Sequence, residues 1–160
     1  MTTDTPLPPA IARLRAWAAN ERLGDARHLT QQRIDTFANA TDDHNWLHVD
    51  EKRAAREVPG GRTIAHGYLL LALTAADDVA AMVDLPGVAR LINYGLNKVR
   101  FLMPAPSGAT VRVRSRLLAL SQKEPGRWLM TQHKQVELPT HEVIAIAEQL
   151  TLIELSTPTG

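Results

Sequence analysis

Apolar residues recur at two different periods along this chain, and the change of period separates a front half of helices from a back half of strands. Behind a start carrying Pro6, Pro8 and Pro9, the residues Ile11, Leu14 and the Trp17–Ala18 pair stand at helical spacing, with Arg13, Arg15 and Glu21 between them. This predicts a short amphipathic leading helix and a connection over residues 1–25. Thr30 is placed to cap a second helix whose apolar side is Ile34, Phe37 and Ala38, and whose pattern fades from Thr41 to Asp43. The stretch that follows, Asp42 to Asp50, reads as a polar connection, and Asp50 to Glu57 as a brief helical turn. Gly60 and Gly61 then permit a sharp reversal. From Tyr68 to Met82 the chain is apolar on nearly every side at first and carries Asp77 and Asp78 later, as one core helix enclosed by other structure would.

Beyond that helix the period falls to two. Val111, Val113, Ser115 and Leu117 face one way while Arg112, Arg114 and Arg116 face the other. Further strands fit Leu91 to Leu102, Arg127 to Leu138 and Val143 to Leu155, with turns at Pro104 to Gly108, Glu124 to Gly126, and Pro139 with Thr140. Helices first and an antiparallel sheet afterwards is an α+β plan. No repeat, low-complexity tract or linker divides the chain, so the expectation is a single domain over residues 1–160.

Composition narrows the classes of function. With 160 residues, 44% hydrophobic and 22% charged, the chain has the usage of an ordinary globular domain that needs no staples. It holds no cysteine, which removes disulfides and thiolate catalysis and is compatible with a reducing compartment; cytoplasm is the expected location. A formal net charge of +1 lacks the basic excess that neutralises phosphates, so no nucleic-acid partner is expected. The start has no basic region followed by an apolar core, and the charge-free stretch from Thr63 to Ala76 is too short to cross a bilayer; neither a secretory signal nor a membrane span is expected.

The densest set of titratable groups is Asp42, Asp43, His44, His48 and Asp50. On residue types alone a polar loop is equally what water-facing chain looks like. The set nevertheless suits proton transfer, because a carboxylate and an imidazole in a bent segment can converge on one water, one taking a proton while the other orients or donates. Thr41 to Asp50 resembles the D-x-N-P-x-H signature of the MaoC-like hydratases. Ile64 to Tyr68 is similar to the H-G dipeptide that opens that family's central helix, and Ile92 to Phe101 to its following strand. The resemblance extends from about Gln31 to Leu155, with the nodulation-protein-N-like branch the most similar.

The resemblance implies a hot-dog fold, a curved antiparallel sheet wrapped around a central helix. It implies (R)-specific hydration of trans-2-enoyl-CoA, an acyl-CoA thioester substrate, a homodimer with sheets joined edge to edge, and neither cofactor nor metal. Carried over by position, Asp43 and His48 are the pair that binds and activates the water, and Asn45 helps to hold the pair or the water. Gly67 presents its backbone N–H to the thioester oxygen, in keeping with the unpaired donors at a helix start. Three departures from the pattern involve four positions. Asp42 stands where glycine is common and sets a second carboxylate beside Asp43, so reduced activity or a moved pH optimum is expected. Trp46 stands for proline, and Ala72 and Ala75 for serine.

Other readings remain open. His44 and His48, four apart with Asp42, Asp43 and Asp50 nearby, would share one face of a helix and hold a metal. The same fold would serve a thioesterase, or a catalytically silent acyl-CoA-binding module, to which Asp42 lends some support. Lys98, Arg100, Arg112, Arg114 and Arg116 suit CoA phosphates or a solvated strand face, and stay unassigned. His66 is expected to anchor the helix start by a hydrogen bond.

Overall fold

The computed structural model describes residues 6–156; the ends of the expected single domain and the first residues of the amino terminus lie outside them. Helix α1 (Pro9–Ala18) begins with proline at its first turn and buries Ala10, Ile11, Leu14 and Ala18. Two short strands follow, β1 (Arg22–Leu23) and β2 (Arg27–His28), each pairing antiparallel with the later β4 (Thr110–Glu124). Sequence periodicity misses them because two residues carry no period. Helix α2 (Gln31–Thr41) is capped by Thr30, whose hydroxyl accepts from Arg33 N–H, and buries Ile34 and Ala38.

The expected polar connection holds a helical turn, α3 (Trp46–Val49), followed at once by α4 (Glu51–Glu57). Asn45 and Asp50 cap them by accepting from Leu47 N–H and Arg53 N–H. Trp46 is the first residue of α3, a place that suits proline, and its ring lies under the Arg53 guanidinium at 3.9 Å.

The core helix expected from Tyr68 to Met82 is two helices, α5 (Gly67–Leu73) and α6 (Ala76–Met82). The interruption has a local cause: both the N–H and the hydroxyl of Thr74 bond back to Leu71 C=O, at 3.1 and 2.7 Å. Asp77 and Asp78 then lie in the first turn of α6, where a helix start favours negative charge.

Strands β3 (Val88–Phe101), β4, β5 (Arg127–Glu137) and β6 (Val143–Leu155) form an antiparallel sheet in the order β1-β4-β5-β6-β3, so β3 is an edge. Register shifts at Asn93/Gly95 and Asn97/Arg100 bend β3 as it follows β6. Two apolar clusters fill the concave side. Leu69 and Leu70 of α5 pack on Val111, Val113, Val136 and Ile144, and Ile11 and Leu14 of α1 with Met82 of α6 pack on Trp128, Met130 and Ile153. No helix among the described residues is long and apolar enough to cross a membrane.

Candidate active site

The segment from Thr63 to His66, just ahead of α5, is stapled along the loop from Asp43 to Val49. Ile64 N–H donates to Leu47 C=O at 3.0 Å. Gln31 of α2 donates to His48 C=O at 2.7 Å and accepts from the Thr63 hydroxyl at 2.5 Å. His48 Nδ1 lies 2.7 Å from Ile64 C=O, and since a carbonyl can only accept, that nitrogen carries the proton and Nε2 of the neutral ring keeps its lone pair. His66 Nε2 donates in the same way to Asp43 C=O at 2.9 Å. The two imidazoles stack with centroids 3.7 Å apart, and Phe37 of α2 leans on His66 from the other side.

Asp43, His48 and His66 thereby converge, with one nitrogen or oxygen from each within 4.8 Å of the others. The Asp43 carboxylate is 51% exposed, its Oδ2 3.9 Å from His66 Nε2, while its Oδ1 accepts weakly from Asn45 N–H at 3.4 Å. Asn45 meets Asp43 through that backbone contact alone, and its side-chain oxygen caps α3. His44 is exposed and stands outside the convergence, so the metal arrangement read from His44 and His48 is not the one formed. Asp43, His48 and His66 are the residues that could hold an ion, at the cost of the bond from His66 to the Asp43 carbonyl.

Beside His48 opens a cavity of about 250 Å³, lined also by Gly67, Leu70, Phe101 and Met103. Gly67 opens α5, so its N–H has no acceptor within the helix. A Cβ there would stand 3.0 Å from the Phe101 ring, so a larger residue would crowd this wall. Neither Asp43 nor Asn45 lines the cavity; Asp43 approaches from the side of His66.

His66 and Gln31 are members of this arrangement that residue types do not disclose. His66 does bond at the helix start, yet to the Asp43 main chain, and its buried Nδ1 has no partner. Both act on carbonyls distant in sequence, so the H-G dipeptide marks His66 without showing its partner, and nothing marks Gln31. Of the unassigned basic residues, Lys98 is held by Glu148 at 2.7 Å and Arg114 by Glu137 and Glu21 at 2.8 Å each.

The MaoC like domain family matches residues 18–139, a span that includes the whole Asp43–His48–Gly67 arrangement. The chain belongs to this family. Its similarity to 3-hydroxyacyl-thioester dehydratase Z of Mycobacterium tuberculosis is 44% identity over 131 residues, covering 81% of this chain and 85% of the relative. Nodulation protein N of Rhizobium leguminosarum bv. viciae is 36% identical over 137 residues, covering 84% and 85%. The (R)-hydratase from A. caviae involved in PHA biosynthesis superposes with a TM-score of 0.67 at 23% identity, over 82% of this chain and 92% of that one. A monoamine oxidase regulatory protein from Archaeoglobus gives 0.74 at 26%, over 87% and 90%. The MaoC-like chain has the hot-dog fold, and its family and relatives support a hydratase or dehydratase activity.

Proposed function

We propose that this chain reversibly hydrates trans-2-enoyl-CoA to (R)-3-hydroxyacyl-CoA. The observation that carries the proposal is the Asp43 carboxylate brought to a His48 whose Nε2 lone pair is left free, next to a cavity that Gly67 lines at the start of α5. In the forward direction a water is oriented by Asp43 and gives a proton to His48 Nε2 as its oxygen adds to C3 of the enoyl group. Charge moving onto the thioester oxygen meets Gly67 N–H, a prepositioned donor of a kind worth about 10² to 10³ in rate. The proton then passes from His48 to C2, so that one water is added in total. Reversal of these steps is dehydration of a 3-hydroxyacyl thioester, the reaction in the name of the mycobacterial relative.

We also propose a homodimer formed through β3, the edge strand, whose Ile92, Tyr94 and Leu96 are 38%, 64% and 42% exposed.

Asp43→Asn and His48→Ala are each expected to lower crotonyl-CoA hydration, followed by loss of the enoyl absorbance, by at least about 10²-fold with the circular dichroism spectrum retained. Wild-type turnover in either folded variant would sink the assignment. Release of free CoA from a saturated acyl-CoA would make the chain a thioesterase instead.

A further inference from the structure

The concave face of the sheet is crossed by a row of polar side chains between its two apolar clusters. Ser115 of β4, Gln132 and Lys134 of β5, and Gln149 and Thr151 of β6 are each at most 6% exposed. The row is closed from the helix side by Thr74 and Asp78. Lys134 Nζ donates to Asp78 Oδ2 at 2.5 Å and to Ser115 Oγ at 2.8 Å, so this buried cation is neutralised where it stands. Gln132 lies directly across the β5–β6 ladder from Gln149.

One end of this row forms the floor of a second cavity, of about 330 Å³, lined by Thr74 and Gln149 together with Tyr68, Ala72, Asn93 and Tyr94. It is separate from the cavity at His48 but shares α5 with it. Phe101 lines the first and Tyr68 the second, and their rings meet edge to face with centroids 6.0 Å apart. Gln149 is 5% exposed, and its Oε1 lies 2.9 Å from the Thr74 hydroxyl, whose single proton it shares with Leu71 C=O at 2.7 Å. Among the described residues its Nε2 makes no hydrogen bond.

A plain alkyl tail laid on this floor would return no hydrogen bond to an amide and a hydroxyl already withdrawn from water. An oxygen at the same place would accept from Gln149 Nε2. A carboxylate is a poorer fit, because Lys134 is fully enclosed and already faces Asp78.

We propose that this cavity receives the distal end of the acyl chain, and that Gln149 with Thr74 selects acyl groups bearing a hydroxyl or carbonyl oxygen there over plain alkyl groups. This rests on the hydratase reading of the Asp43–His48 site. The test compares kcat/KM for trans-2-hexenoyl-CoA and for its isostere in which the terminal methyl is replaced by hydroxyl, with crotonyl-CoA as the common short substrate. The wild type is expected to favour the hydroxylated chain by about tenfold, the worth of one well-placed hydrogen bond. Gln149→Leu erases or reverses that ratio, and the isosteric Thr74→Val, which guards against misfolding of the first variant, shifts it the same way. Turnover of crotonyl-CoA with hexenoyl-CoA preferred by the wild type, or a ratio unchanged in both folded variants, overturns this selectivity alone. Failure of the wild type to hydrate crotonyl-CoA overturns the hydratase reading and the selectivity with it.

Discussion

Asp42 illustrates how much one backbone angle decides. It ends α2 in the left-handed region, φ 58° and ψ 17°, a conformation in which glycine carries no Cβ penalty and aspartate is tolerated. The glycine common in the family fits the same angle. Asp42→Gly is therefore expected to stabilise the fold by about 1 kcal/mol. That corresponds to a rise in Tm of about 2–4 °C for a chain of this size, read by thermal melting, with crotonyl-CoA turnover preserved. Glu137 gives a second test at this scale. The paired hydrogen bonds from the Arg114 guanidinium hold its carboxyl below the usual glutamate range. Its contribution to stability is thus present above the unfolded-state value of about 4.3 and is lost as pH falls through the lower, folded one. Urea midpoints taken between about pH 5 and pH 3 should drop less for Glu137→Gln than for the wild type. As for legibility, Asp43 and His48 stand out in the sequence because their types and closeness suit proton transfer. Gln31 does not, and His66 is marked only as an anchor of the helix start, since each works by holding a main-chain carbonyl of the loop, which no pattern of side chains records.

Among the elements, β6 follows its predicted range, and β5 stops one residue short of it. Both lie inside the sheet, where alternation is enforced on every residue. The expected continuous helix fails at Thr74, where back-bonding to Leu71 and the acidic pair that follows begin a new helix; the acidic pair was the available sign. Helix α3 escapes the sequence because four residues are little more than one helical turn, too short to show periodicity. The same helix break presents Asp78 to Lys134 of β5 across the buried polar row. Burial pushes the carboxyl up and the ammonium down from their ordinary values, so each group relies on the other to stay charged. Lys134→Met alone is expected to cost about 3–5 kcal/mol in urea unfolding, and the double variant with Asp78→Leu to recover most of it. A double variant whose loss equals the sum of the two single losses would show that the two groups are not coupled.

At the scale of the whole molecule the sheet ends on β3, a long edge with apolar side chains exposed. In the proposed homodimer a second copy covers that edge, and sedimentation is expected to give a pair that Ile92→Asp splits into single chains. A wild-type chain that sediments alone would count against it. The order in which this architecture assembles follows from where α1 sits. Ile11 and Leu14 find their seats on Trp128, Met130 and Ile153, so the first of the described helices depends on the last two of the described strands. Folding must therefore close most of the chain before that cluster is complete, which places it among the slow, non-local folders. Until β6 has been made, the seat of α1 lacks Ile153 and stays partly open, and this is the interval in which the nascent chain is most exposed to aggregation.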